Sequence, residues 1–370
     1  MHLTCVVGAR PNFPKVAPIL AAAAERSNIE CRLVHTGQHY DERMSTLFFT
    51  ELGLPAPDVY LGVGSGSHAA QTARVMLAFD EALDQCATDV VLVVGDVNST
   101  LACSLVAAKR GIAVAHVEAG LRSGDRTMPE ELNRILTDQL SDYLFTTERT
   151  AANNLRAEGI PSERIFFVGN VMIDTLFRNR ERSRESAVLE RLHVVPRGYA
   201  LCTLHRPSNV DSRRDAENTA RALDVLCAQL PVVLPLHPRT RSKLQTFGLL
   251  ERVQSLPGIA IIEPQGYLDF LALMDNARVV LTDSGGVQEE TTALGVPCLT
   301  FRENTERPIT VTEGTNQLIG LSPQRLAAAL DALLSRPNLD YRTPELWDGR
   351  AAHRILDVLQ PVSAVRRLAA

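Results

Sequence analysis

The chain has 370 residues, with 38 Lys and Arg against 43 Asp and Glu, a formal net charge of −5 and a charged fraction of 22%. That balance argues against a general nucleic-acid coat or an acidic tail, and at roughly 100–200 residues per domain the length predicts two domains. Mean hydropathy is −0.02. The richest apolar stretches, Val90–Val94 and the alanine-rich Val16–Ala24, are too short to span a bilayer, so neither nucleic acid nor membrane is an expected partner. The start of the chain reaches Arg10 and Lys15 without the basic, apolar and small-residue regions of a secretory signal, which predicts a cytoplasmic location. Seven scattered cysteines (Cys5, Cys31, Cys86, Cys103, Cys202, Cys227 and Cys298) include no C-x-x-C pair and read mostly as reduced core residues.

In chain order, short β-branched runs alternate with longer helical patterns. A strand is predicted at Leu3–Val7, a helix near Val16–Arg26 and a strand at Arg32–Thr36. Val90–Val94 leads into a helix from about Ser99, and Ala113–Val117 into one from about Pro129. The rhythm restarts after residue 190, with strands at Tyr199–Leu204, Val232–Pro235, Ile259–Ile262, Val279–Thr282 and Cys298–Phe301. Helices are predicted between them at Asp215–Gln229, Tyr267–Asn276 and Gly286–Leu294. This βαβ alternation predicts an α/β protein of two doubly wound, Rossmann-like domains. The boundary is expected after Phe167–Asn170, because Phe177–Arg191 is a run of Arg, Glu and Ser that reads as a solvated connecting helix. The expected domains are 1–172 and 173–370, with a last helix at about 352–370 packing back on the first. Ligands of open parallel sheets bind at the carboxyl ends of the strands, so the chemistry is expected in a cleft between the two domains.

Residues able to carry chemistry gather at those strand ends. Val279–Thr282 runs into Asp283, Ser284, Gly285 and Gly286 and then a helix bearing Gln288, Glu289 and Glu290. Small residues at such a turn let backbone N–H groups approach a phosphate, though Ser284 reads equally well as an ordinary helix N-cap. Glu290, one turn past the glycines, is placed to accept ribose hydroxyls or to be a plain helix carboxylate. In the first half Gly8-Ala9-Arg10-Pro11 follows the first strand, and Arg10 with Lys15 would suit a diphosphate or be surface cations. Gly62-Val63-Gly64-Ser65-Gly66 is not G-x-G-x-x-G and reads as a flexible loop, against NAD or FAD.

Asp96 and Glu118 each follow a predicted strand, and Glu130 opens a helix after Pro129. Carboxylates converging near cations are what proton transfer at carbon needs, because crowding can raise one pKa and leave its neighbour ionised. Each would serve equally as a turn cap or a helix-terminus charge. His205 and His237 close two strands of the second half, where a lone histidine is usually structural. No grouping has metal-ligand spacing, and no nucleophile elbow is present.

Together these segments form an ordered set: Gly8-Ala9-Arg10-Pro11 with Lys15, Thr36-Gly37-Gln38-His39, Gly95-Asp96, and His116 through Arg122. It continues through Pro129-Glu130-Glu131 with Asn133-Arg134, His205-Arg206, Thr282 through Gly286 with Gln288-Glu289-Glu290, and Thr305-Glu306-Arg307-Pro308. The set resembles the non-hydrolysing bacterial UDP-N-acetylglucosamine 2-epimerases over nearly the whole chain. The resemblance implies a GT-B fold, a UDP-sugar in the cleft, no metal or redox cofactor, and a homodimer. It implies Asp96, Glu118, Glu130 and His205 as the catalytic group. Ser284, Gly285, Gly286 and Arg10 would meet the diphosphate and Glu290 the ribose, with Gln265 to Phe270 beside the uracil. Lys15 and Arg307 would be supporting cations, with His237 among the substrate-binding residues.

The reaction the family resemblance implies is elimination of UDP to 2-acetamidoglucal and re-addition with the proton delivered to the opposite face of C2. Asn12-Phe13-Pro14 replaces the Glu-containing stretch common after Arg-Pro in many relatives, and Tyr40-Asp41 and Pro207 differ around segments that, in some, line a second activating UDP-sugar site. Alternatives are a 2-epimerase of a modified, diacetamido-uronate-type UDP-sugar and a hydrolysing epimerase releasing free N-acetylmannosamine. A GT-B glycosyltransferase and a non-catalytic sugar sensor rank below them.

Overall fold

Runs such as Val90–Val94, buried along their whole length, suit a parallel strand covered by helices on both faces. The computed structural model of the chain describes residues 1–38, 42–85, 87–335 and 341–360. His39, Tyr40, Asp41, Cys86 and the far end of the expected last helix lie outside the described residues.

Met1–Arg178 and the chain from Glu345 onward form one compact unit, and Asn179–Pro344 forms another. The first holds strands β1 (His2–Val7), β2 (Glu30–His35), β3 (Val59–Tyr60), β4 (Val90–Val94), β5 (Ala113–Val117), β6 (Tyr143–Thr146) and β7 (Ile165–Phe167). They pair in the order β3-β2-β1-β4-β5-β6-β7, and every pairing is parallel. The second holds β8 (Ala200–Thr203), β9 (Val232–Pro235), β10 (Ile259–Ile262), β11 (Val279–Thr282), β12 (Cys298–Thr300) and β13 (Asn316–Leu318). Their order is β10-β9-β8-β11-β12-β13, again parallel throughout.

Both units therefore have the doubly wound strand order, in which the chain leaves its first strand toward one edge and later resumes on the other side. The crevice at that reversal lies beyond the carboxyl ends of β1 and β4 in one unit and of β8 and β11 in the other. The loops diverge at that reversal, and the polar motifs of the sequence sit on them. The expected fold class, α/β with two Rossmann-like domains, is the one observed.

Several elements lay outside the sequence reading: β3, β6, β7, β13 and the helices His68–Asp84, Arg149–Ala157 and Pro323–Ser335. The four strands have two to four residues each, too short for alternation to register. The charged run from Phe177 belongs to two helices, Val171–Ser183 and Val188–Arg191. The loop with Gly62 and Gly64 is tied down, since Gln71 Nε2 donates to the Gly64 carbonyl at 3.0 Å and Arg74 Nη2 to that of Ser65 at 3.0 Å.

The chain's return to the first unit is secured by polar as well as apolar contacts. Trp347 is buried and donates its indole N–H to the Thr147 carbonyl at 3.0 Å. Asp174 accepts the first amides of helix Ala351–Leu359, those of Ala351 at 3.1 Å and Ala352 at 2.7 Å. Arg26 meets Asp357 at 2.8 Å. The six described cysteines are free thiols, and Cys5, Cys103, Cys202 and Cys298 are buried. Among the described residues no helix is long and apolar enough to cross a membrane.

Candidate active site

In the first unit the loop after β1 is built around Asn12. Its Oδ1 accepts the amides of Gly8 and Ala9, each at 3.0 Å, and its Nδ2 donates to the Val94 carbonyl at 3.0 Å. This ties the end of β1 to the end of β4 and turns the helix Phe13–Ala24 inward. Lys15, in that helix's first turn, is 7% exposed, and its ammonium lies against the carboxylate of Glu118. The cation read from the sequence as facing a diphosphate is thus already partnered by one of the acids.

Gly95 makes room for that pair. Its φ is 69°, and a Cβ there would stand 2.9 Å from Lys15 Nζ and 3.8 Å from Glu118 Oε2. Glu118 itself has φ of 74°, in the left-handed region. For a residue with a side chain that conformation costs roughly 1–2 kcal/mol. Its amide and that of Ala119 both donate to the Phe145 carbonyl, at 3.1 and 3.0 Å, which holds the turn. Such strain at the end of a buried strand aims the carboxylate away from the direction the strand would give it.

Asp96, at the end of β4, is paired with Arg134. Arg134 also meets Glu131 at 2.9 Å, and Glu131 accepts the amides of Ser123 and Gly124, both at 2.9 Å. Asn133 Nδ2 donates to the Asp96 carbonyl at 2.9 Å. Helix Pro129–Leu140 therefore organises the β4 and β5 loops through its buried Glu131, Asn133 and Arg134. Glu130, the third expected acid, is exposed in the first turn of the same helix. Arg10 is exposed, with its guanidinium 4.7 Å from the centre of the Phe48 ring.

In the second unit the centre is Asp283, fully buried after β11. Its Oδ2 accepts the amides of His205 and Arg206 and the Asn209 side-chain N–H, each at 2.8 Å. His205 Nδ1 lies 3.0 Å from Asp283 Oδ1. Burial alone would raise the Asp283 pKa, but the His205 contact and these donors outweigh it and hold the carboxyl below its ordinary value. His205 is thus oriented by a buried carboxylate, with its ring centre 5.3 Å from that of His237. His237 caps the helix Pro238–Thr246, accepting the Arg239 amide at 3.2 Å.

Ser284 holds the N-cap position of helix Gly285–Leu294 with extended φ and ψ of −87° and 131°, but its hydroxyl makes no capping bond. The ordinary N-cap reading of Ser284 is therefore not the one its side chain follows. Arg307 covers the start of this helix, where a Cβ on Gly285 would stand 2.5 Å from Arg307 Nη1. Arg307 Nε meets Glu289 at 2.9 Å and its Nη1 lies 3.6 Å from Glu306. Glu306 in turn takes a two-pronged pair from Arg302, at 2.9 and 2.8 Å, and lies 3.6 Å from Arg206. Burial opposes its charge, but the three arginines prevail and hold the Glu306 carboxyl far below its usual range. Three guanidinium groups are so gathered on one buried carboxylate beside a helix N-terminus, an arrangement that favours an anion.

Glu290 is 4% exposed and accepts the Tyr267 hydroxyl at 2.9 Å. Burial pushes its pKa up to about 7, the Tyr267 bond opposing and the Glu289 charge adding. Gln265 donates to the Glu263 carbonyl at 2.6 Å, and Phe270 lies half-buried on helix Tyr267–Asp275. The roles of Arg134, Glu131, Asp283, Tyr267, Arg206, Arg302 and Glu306 escaped the sequence reading. The i,i+3 spacing of Glu131 and Arg134 on one helix was an available signal, whereas Arg302 and Glu306 lie on a loop where spacing gives none. Among the described residues no group of three or more His, Cys, Asp or Glu side chains is arranged to hold a metal ion.

Residues 21–360 match the family model described as UDP-N-acetylglucosamine 2-epimerase. The chain is 43% identical over 364 residues to the UDP-N-acetylglucosamine 2-epimerase of Methanocaldococcus jannaschii, covering 97% of this chain and 99% of the relative. It is 39% identical over 363 residues to the UDP-2,3-diacetamido-2,3-dideoxy-D-glucuronate 2-epimerase of Pseudomonas aeruginosa, with 97% and 99% covered. Its structure is similar to the crystal structure of the M. jannaschii UDP-GlcNAc 2-epimerase in complex with UDP-GlcNAc and UDP. That likeness has a TM-score of 0.91 and 42% identity over 97% of this chain and 99% of the other. The Neisseria meningitidis UDP-GlcNAc 2-epimerase bound to UDP-GlcNAc gives a TM-score of 0.89 and 30% identity over 97% and 100%. These likenesses fit the GT-B-like fold expected from the motifs.

Proposed function

Because the chain belongs to the UDP-N-acetylglucosamine 2-epimerase family, we propose that it interconverts UDP-N-acetylglucosamine and UDP-N-acetylmannosamine without releasing the free sugar. The observation that supports this most is the buried Lys15–Glu118 pair packed against Gly95, one residue before Asp96, at the carboxyl ends of β4 and β5. Carboxylates held so tightly on rigid strand ends suit proton transfer at a fixed carbon.

The C2 hydrogen of the sugar is not acidic, so it leaves only as the C1–O bond to the diphosphate breaks. One carboxylate takes the C2 proton, the electron pair of the C–H bond forms the C1–C2 double bond, and UDP departs with the C1–O pair. Re-addition reverses each of these changes, with a proton delivered to the opposite face of C2, which requires a second acid. Asp96, Glu118 and Glu130 are the proposed proton-moving group, and His205, oriented by Asp283, belongs with it.

The leaving diphosphate needs preorganised positive charge. Ser284, Gly285 and Gly286 at the helix N-terminus, with Arg307 across Gly285 and Arg10 from the first unit, are its proposed partners. Glu290 would take the ribose hydroxyls, and Gln265 and Phe270 the base. Lys15 serves this scheme through Glu118, neutralising a buried carboxylate that would otherwise stand alone.

The test is product analysis. Purified protein incubated with UDP-N-acetylglucosamine should yield UDP-N-acetylmannosamine with no stoichiometric free UDP. Free N-acetylmannosamine with equimolar UDP would replace this reading with hydrolysis. Turnover only of a 2,3-diacetamido uronate sugar would replace the substrate.

A further inference from the structure

His116, the next-to-last residue of β5, is fully buried, and both of its ring nitrogens face acceptors. Nδ1 lies 2.6 Å from Asp138 Oδ1, and Nε2 lies 2.9 Å from the carbonyl oxygen of Gly95. A carbonyl oxygen can only accept, so Nε2 carries a hydrogen. Asp138 is itself held by further donors, because its Oδ2 takes the Gly120 amide at 3.1 Å and Arg122 Nη2 at 2.7 Å. Asp138 Oδ1 and the Gly95 carbonyl thus hold the ring from both ends.

The two ends of this unit sit on the two segments that present the acids. Gly95 immediately precedes Asp96, and its amide donates to the Val117 carbonyl at 3.1 Å, immediately before Glu118. Gly120 follows Glu118 by two residues and has φ of 80°. A Cβ on Gly120 would stand 2.4 Å from the Ala151 carbonyl oxygen, so the turn is closely confined. His116 holds the β4 loop through the Gly95 carbonyl, while Asp138 holds the β5 loop through the Gly120 amide. Arg122 also pairs with Glu158 at 2.6 Å, which fixes it beside Asp138.

We propose that His116 and Asp138 are a buried positioning pair that locks the Gly95–Asp96 and Glu118–Gly120 turns in one register and so sets the aim of both carboxylates. Neither residue contacts the substrate. The strained backbone of Glu118 explains why such a pair is needed: a left-handed turn without a glycine persists only where its surroundings over-determine it. The inference rests on the proposed epimerisation for its kinetic consequence, but not for its structural one.

The test combines three variants with a structural measurement. In His116→Gln, in Asp138→Asn and in the double variant, kcat for UDP-N-acetylglucosamine should fall about 100-fold, the scale of a misplacement of roughly 1 Å. KM and UDP affinity should stay within about threefold, because binding groups of the second unit are untouched. The double variant should lose no more than the worse single one, as residues acting as a unit do. A pair with only a structural role would lower the melting temperature and leave kcat of the folded protein unchanged, and that result overturns the proposal, as does a loss confined to KM. Asp138→Asn keeps the side-chain shape and covers the case in which His116→Gln does not fold. Independently of activity, crystal structures of the variants should show the Gly95–Asp96 and Glu118–Gly120 turns displaced from their wild-type positions. Turns that stay in place overturn the proposal, whereas turns that move in a protein whose wild type does not epimerise overturn the functional reading alone.

Discussion

Tyr267 donates its hydroxyl to Glu290 at 2.9 Å, and the acceptor is a buried carboxyl whose pKa stands at about 7 rather than the ordinary 4.5. Burial is the main cause. The folded chain therefore keeps a proton that the unfolded chain gives up between those two pH values. The sign follows: this group leaves stability intact below the unfolded value and subtracts from it as pH rises through the folded one, by about 3 kcal/mol in all. Glu290→Gln should remove that decline, which denaturant unfolding of both proteins at pH 5 and pH 8 measures. Ribose hydroxyls donating to the carboxylate would favour its ionised form, so UDP binding below pH 7 should release a proton in the wild-type protein and none in the variant.

The Lys15–Glu118 pair predicts a strong coupling. Removing one partner of a buried ion pair costs about 3–5 kcal/mol, because the other is left without its counter-charge. Lys15→Met should lose on that scale, and the double variant Lys15→Met with Glu118→Gln should recover a measurable part. Unfolding free energies of the four proteins in a double-mutant cycle check this.

Gly95→Ala should be more damaging to activity than its size indicates. The added Cβ meets Lys15 Nζ at 2.9 Å and imposes a left-handed conformation with φ of 69° on alanine. The backbone penalty is about 1–2 kcal/mol, which a domain of this size tolerates. The expected outcome is a folded protein with kcat lowered at least tenfold and UDP binding unchanged, measured by steady-state kinetics and calorimetry.

Gly285→Ala should show the opposite division. Its Cβ would stand 2.5 Å from Arg307 Nη1, displacing the guanidinium from Glu289 and from the helix N-terminus. Loss of one charge-assisted hydrogen bond is worth about 1.5–3 kcal/mol, so UDP affinity should fall roughly 10- to 100-fold. Calorimetric titration with UDP reads this directly.

The strand ends that carry the chemistry were legible because their signal is local. Val90–Val94 and Ala113–Val117 are the observed strands, and Gly95-Asp96 and Glu118 follow them as read. Pro129 begins its helix at the expected residue. What the sequence could not supply was pairing across elements. Lys15 looks like a surface cation until helix Phe13–Ala24 is placed against the β4 and β5 loops, and His116 looks like one more strand residue until Asp138 arrives from the next helix. Arg302, Glu306 and Arg307 are close in the chain, but their gathering with Arg206 depends on how β8 and β12 sit in one sheet. The return of the chain from Glu345 to the first unit rests on Trp347 and Asp174, contacts that no local period announces.

The proposed chemistry stands or falls on whether the hydrogen at C2 is exchanged during turnover. Proton NMR of UDP-N-acetylglucosamine incubated with the protein in D2O follows this atom directly. Elimination and re-addition predict UDP-N-acetylmannosamine carrying deuterium at C2, with Asp96→Asn and Glu118→Gln abolishing the exchange. Epimerised product that retains its original C2 hydrogen would contradict proton transfer through these carboxylates.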